Sequence, residues 1–85
     1  MAVSYLVLDG RTATLLECGV IRTPAADPLP SRLHNIHAGI AELIERHRPD
    51  TVAVEDVFYA RNVRTTIVLG HARGVLLLAA EQAAL

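Results

Sequence analysis

The stretch "TVAVEDVFYARN", Thr51 to Asn62, decides how the rest of the chain is read. It opens on a short β-branched run, Thr51-Val52-Ala53-Val54. It then breaks into two adjacent acids, Glu55 and Asp56, followed by Phe58, Tyr59 and Arg61. Four residues are too few for a helix, and the run lacks polar alternation. It therefore predicts an interior, parallel strand over Val52 to Val54. In open α/β sheets ligands collect beyond the carboxyl ends of strands, and that is where Glu55 falls.

Outward from that strand the pattern changes period. Towards the N-terminus, Leu33, Ile36, Ile40, Leu43 and Ile44 recur at three- and four-residue spacing. They predict an amphipathic helix from Ser31, as N-cap, to about His47. Pro49-Asp50 stops it. Pro24, Pro28 and Pro30 mark a loop before it. Earlier still, Val3 to Leu8 and Thr12 to Ile21 read as two strands joined at Asp9-Gly10, a hairpin signal. Towards the C-terminus a second helix is predicted from about Asn62 or Val63 to near Gln82. Its C-terminal half is apolar nearly all round, which predicts burial on more than one side. Gly70 and Gly74 lie four apart on one face and would admit a close backbone neighbour. The order is β-β-α-β-α, a single α/β domain over residues 1–85.

Composition narrows the classes. The 85 residues hold 52 % apolar but only 4 % aromatic side chains, so the core is expected to be aliphatic and disorder is not. No unbroken apolar run of about 18 residues exists, so no membrane span is expected. No basic region leads into a long apolar stretch at the N-terminus, so no signal peptide is expected either. The one cysteine, Cys18, reads as a small core hydrophobe in a reducing cytoplasm. Net charge is −1, so global charge does not announce nucleic acid. All eight cations are arginine. Codon bias is the reading preferred over selection for phosphate recognition, although arginine suits phosphate better.

The residues around Glu55 admit two readings each. Glu55 could be a hard oxygen ligand for Mg²⁺, or an acid that caps a turn or pairs with an arginine. Phe58 and Tyr59 could stack on bases, or fold back on the core. Arg61, Arg64 and Arg73 could meet phosphate with the help of a helix N-terminus, or simply be solvated charges. Taken together they hold a carboxylate, aromatics and cations, the chemistry of a nucleic-acid site. His34 and His37 sit three apart on the first helix. With no third ligand evident they read as surface or partly buried residues rather than a zinc site.

Four segments carry a family likeness. "LLECGVIRT" (Leu15 to Thr23), "LPSRL" (Leu29 to Leu33, with Ile36), "RPDTVAVEDVFYARN" (Arg48 to Asn62) and "LGHARGV" (Leu69 to Val75) resemble, in order and spacing, the RuvC-type Holliday junction resolvases. The resemblance implies an RNase H-like fold and a homodimer. It implies Mg²⁺-dependent, two-metal hydrolysis of opposed strands of a four-way DNA junction, in recombination and repair. Glu55 falls on the family's strand-end catalytic glutamate and metal ligand. Phe58 falls on an aromatic that handles bases, and Arg61 on a basic position facing DNA. Asn62 and Arg64 are expected beside them at the DNA. The helix from about Val63 to Gln82 is expected at the dimer interface. Branch-migration proteins are further expected partners.

The same resemblance implies that parts of the family pattern are missing. No "DPG" strand with its metal-binding aspartate is present. Asp9 cannot replace it, because only nine residues separate Asp9 from Gly19. The C-terminal strand, basic segment and last acids are missing too. One carboxylate, Glu55, stands for about four, so this chain alone is expected to be inactive or nearly so. The alternative reading is a non-catalytic dimerisation or DNA-docking module on the same scaffold, and a third is a gene fragment. Loss of a central strand leaves unpaired backbone. Either Val3 to Leu8 is expected to shift beside Thr51 to Val54, or a partner chain is expected to fill the gap.

Overall fold

The computed structural model describes residues 1–55 and 62–85. Along the chain run β1 (Ala2–Asp9), β2 (Thr14–Arg22), α1 (Leu29–His47) and α2 (Val63–Gln82). β1 and β2 pair antiparallel, from Ala2 opposite Arg22 to Asp9 opposite Thr14. The register slips between Val7–Glu17 and Leu8–Leu15, which leaves Leu16 as the extra residue of a bulge. The hairpin forms where Asp9-Gly10 predicts it, but not as a two-residue turn. The Asp9 carboxylate accepts the Arg11 N–H at 3.0 Å, and Ala13, not Gly10, takes the left-handed conformation with φ of 53°. Asp9 thus starts the turn through its side chain.

α1 begins three residues earlier than a cap at Ser31 implies. Pro28 is the N-cap, Pro30 lies in the first turn, and no side chain caps the end. Ser31 is therefore an exposed residue inside the helix rather than its cap. Proline is tolerated there because first-turn N–H groups have no intrahelical acceptor. α1 ends at Arg48, whose left-handed backbone (φ 48°, ψ 54°) returns its N–H to the Ile44 carbonyl at 2.8 Å. The following Pro49 forbids another turn.

A polar link and a small apolar seam join the two helices. Ile36 of α1 is fully buried, and Ala72 and Ala79 of α2 are the other buried apolar residues among those described. The two alanines, seven apart, leave room for α2 to lie close to α1. His37 and Gln82 join the same helices at 2.7 Å. Where α1 crosses β2, a Cβ built on Gly39 would stand 2.9 Å from Ile21 Cδ1, so the small residue permits the approach. Cys18 is exposed, not in the core. It pairs with Leu6 across the hairpin, and Leu6 is likewise exposed.

Two expectations fail. Thr51 to Glu55 forms no strand, and the described sheet has only two strands, β1 and β2. β1 pairs with β2 and does not shift towards Thr51 to Val54. A lone segment needs a neighbour for its N–H and C=O groups, and no described strand stands beside it. The second failure concerns α2. Ile67 is 55 % and Leu78 51 % exposed, and only Ala72 and Ala79 are buried. Its apolar character serves a surface rather than a core. By length and composition alone α2 also passes as a membrane-crossing helix, although Arg64, Arg73 and Glu81 interrupt it.

Candidate nucleic-acid interface

The site is approached from two directions, the segment Thr51–Glu55 and the N-terminus of α2. Glu55 is exposed at the end of the unpaired segment. It is held there through its backbone: Arg73 Nε donates to the Glu55 carbonyl oxygen at 3.0 Å. Arg73 lies in the third turn of α2, so it does not join Arg64 at the helix start. Asp56, Phe58, Tyr59 and Arg61 lie outside the described residues, and so do the expectations placed on them.

Asn62 has a defined local task. It is the N-cap of α2, in extended conformation (φ −142°, ψ 160°), and its Oδ1 accepts the Thr65 N–H at 2.8 Å. Thr66 donates both its N–H and its hydroxyl to the Asn62 carbonyl, each at 3.2 Å. The side-chain oxygen expected at DNA is thus already engaged in starting the helix. Arg64, two residues on, is exposed. The structure therefore brings Asn62 and Arg64 together at the start of α2, and ties Glu55 to the same helix further along.

No group of three or more His, Cys, Asp or Glu side chains able to hold a metal exists among the described residues. A site for two divalent ions needs several carboxylate oxygens. The described residues do not fit such a site, and Glu55 alone does not hold one.

A polar cluster that the sequence does not reveal lies at the other end of α1. Glu17 of β2 accepts from His47 Nε2 at 2.7 Å and Arg46 Nη1 at 2.8 Å through one oxygen, and from the Tyr5 hydroxyl at 2.7 Å through the other. Arg46 also reaches Glu42 at 2.9 Å. The donors from His47, Tyr5 and Arg46 hold the Glu17 carboxyl down at about 2. The hydrogen bond to Glu17 pushes the Tyr5 hydroxyl up. The β-prone run around Glu17 places it on a strand. The signal for its partners is the basic pair Arg46-His47 in the last turn of α1.

Comparison with known proteins now bears on these residues. The family described as crossover junction endodeoxyribonuclease RuvC matches residues 3–85. The chain is 47 % identical over 75 residues to the RuvC of Chloroflexus aggregans, covering 88 % of this chain and 46 % of that one. It is 49 % identical over an 87-residue alignment to the RuvC of Moorella thermoacetica, covering 98 % and 51 %. Among solved structures, Thermus thermophilus RuvC in complex with a Holliday junction substrate superposes with a TM-score of 0.89 at 32 % identity, covering 99 % of this chain and 54 % of that one. A second T. thermophilus RuvC structure superposes with a TM-score of 0.77. The chain spans about half the length of the curated relatives it matches. An RNase H-like hairpin, two helices and a family match over nearly every residue lead to one conclusion: this chain belongs to the RuvC family of crossover junction endodeoxyribonucleases.

Proposed function

We propose that this chain is the junction-facing part of a RuvC-type endonuclease, binding four-way DNA and contributing Glu55 to phosphodiester hydrolysis. The observation that carries the reading is the superposition of 99 % of the chain, at a TM-score of 0.89, on a RuvC bound to a Holliday junction. Magnesium is the ion we propose for the complete site, with Glu55 as one of its oxygen ligands. Phe58 is proposed to handle bases. Arg61 and Arg64 are proposed to meet phosphate, which fixes register without reading sequence. Asn62 is proposed to serve DNA binding by setting the start of α2, on which Arg64 rides.

Homodimerisation through α2 belongs to the same proposal. Ile67, Gly70, Gly74 and Leu77 or Leu78 recur every three or four residues along the face turned away from the Ala72–Ala79 seam. Ile67, Leu77 and Leu78 are exposed, and space beside both glycines is open. A second copy of α2 packed there would give the apolar helix the cover it lacks, which accounts for its composition without a membrane. We place the protein in the cytoplasm, and branch-migration proteins among its partners, on the family likeness.

A second reading is favoured by the donor set: among the described residues no carboxylate cluster accompanies Glu55. In it the chain docks on junctions or dimerises but does not cut. A synthetic four-way junction incubated with Mg²⁺ and either the chain or its Glu55→Gln variant separates the two. Cleavage lost in Glu55→Gln supports a catalytic contribution by this chain. Salt-sensitive junction binding without cleavage supports docking, and absence of both removes the proposal.

A further inference from the structure

We infer that Arg73 is the positioning residue for Glu55. The inference rests on the reading of Glu55 as the site's carboxylate and concerns how this chain keeps it in place. A strand in a sheet is fixed by ladder hydrogen bonds on one or both edges. Thr51 to Glu55 forms none with the described strands, yet its last residue must be held closely if its side chain is to act on anything. Arg73 supplies a tether from another element. It reaches from the third turn of α2 across 18 residues of chain, and its Nε donates to the Glu55 carbonyl at 3.0 Å. The acceptor is main chain, so the bond restrains the backbone that carries the carboxylate and leaves the carboxylate itself unengaged by Nε.

The choice of arginine follows from geometry. Nε is part of the rigid guanidinium plane, so one bond through it orients the whole head group. The helix beneath is well anchored at this level, because the neighbouring Ala72 is buried against the rest of the molecule. Glu55 is therefore referenced to the α1–α2 seam rather than to the hairpin.

The test uses the full chain labelled with ¹⁵N and ¹³C and needs neither metal nor DNA, so its outcome is independent of whether junctions are bound or cut. A scalar coupling across the hydrogen bond, from Arg73 Nε to the Glu55 carbonyl carbon, is expected in the wild type. Backbone order parameters over Val52 to Glu55 are expected near the rigid value of about 0.85, and below about 0.6 in Arg73→Gln. Helix content and melting temperature should stay unchanged. Arg73→Lys, which keeps a donor and the charge, is expected to recover part of that order. Absence of the coupling, or order parameters over Val52 to Glu55 that do not change in Arg73→Gln, overturns the inference. A global loss of helix in Arg73→Gln with wild-type order in Arg73→Lys overturns the Nε-specific role as well.

Discussion

At the scale of single residues, several side chains have tasks that differ from those their types suggest. Asn62 is the clearest. A polar residue beside arginines proposed to meet DNA suggests a contact, but its oxygen caps α2. Asn62→Ala is expected to cost about 1 kcal/mol of stability, the ordinary value of a lost N-cap, seen as a lower urea midpoint with an unchanged slope. Arg64 belongs to the other kind. It is exposed one residue inside the helix that Asn62 starts, and it is proposed to act on phosphate. Arg64→Ala should then weaken junction binding similarly for all sequences and reduce the slope of log K against log salt by about 1. Fluorescence anisotropy over a salt titration measures both. A slope equal to wild type would remove Arg64 from the interface.

Elements show where the sequence is readable and where it is not. α1 follows from three- and four-residue spacing, whereas α2 follows from a long apolar stretch and runs over Val63–Gln82. The hairpin follows from two β-prone runs around Asp9-Gly10. The strand at Val52 to Val54 does not form, because a strand is a property of two segments and its composition describes only one. Ser31 misleads because its position before the periodic residues resembles a cap, while the prolines before it already start the helix. The sequence offers the basic pair Arg46-His47 as a signal, but not the cluster itself, because its members, Tyr5, Glu17, Arg46 and His47, come from three elements far apart along the chain.

That cluster gives the contact between hairpin and α1 a pH dependence. Glu17 titrates at about 2 in the folded chain against an ordinary 4.5. The folded state thus favours the charged carboxylate, and its stabilisation is complete above about pH 4.5. It is lost as pH falls from there through 2. Glu17→Gln should be less stable than wild type at neutral pH, and the difference should shrink as pH is lowered through this window. Urea unfolding at neutral pH and at steps down through the window reads it. A difference independent of pH would mean that the three donors do not hold Glu17 charged. Ile36 is the apolar counterpart. As the one large side chain fully buried among the described residues, its replacement by alanine is expected to cost about 2–5 kcal/mol. A chain with so small a core should then be largely unfolded at room temperature by circular dichroism.

For the whole molecule the surface is the informative quantity. Its accessible area is 6267 Å², against about 4,900 Å² for a compact protein of 9.2 kDa. The radius of gyration is 13.4 Å, against about 12 Å for a compact chain of this length. The excess area, roughly 1,300 Å², exceeds the roughly 800 Å² that one partner contributes to a standard interface. Much of it is apolar: Leu6 and Leu8 on the hairpin are 69 % and 58 % exposed, besides the α2 stripe. The chain covers about half of its relatives' length, and these apolar faces are open in it. Sedimentation should find it self-associated at micromolar concentration. Ile67→Glu should weaken that association at least tenfold, about 1.4 kcal/mol, without loss of helix. A cooperative, strictly monomeric wild type would contradict the role proposed for α2.

This chain is proposed to carry the junction-facing part of a RuvC-type endonuclease. Binding to a synthetic four-way junction, measured beside a linear duplex of the same sequence and with Mg²⁺ present, tests it most directly. The expected result is tighter, salt-sensitive binding to the junction, with little or no cleavage by this chain alone. Equal affinity for junction and duplex, or no binding to either, would contradict it.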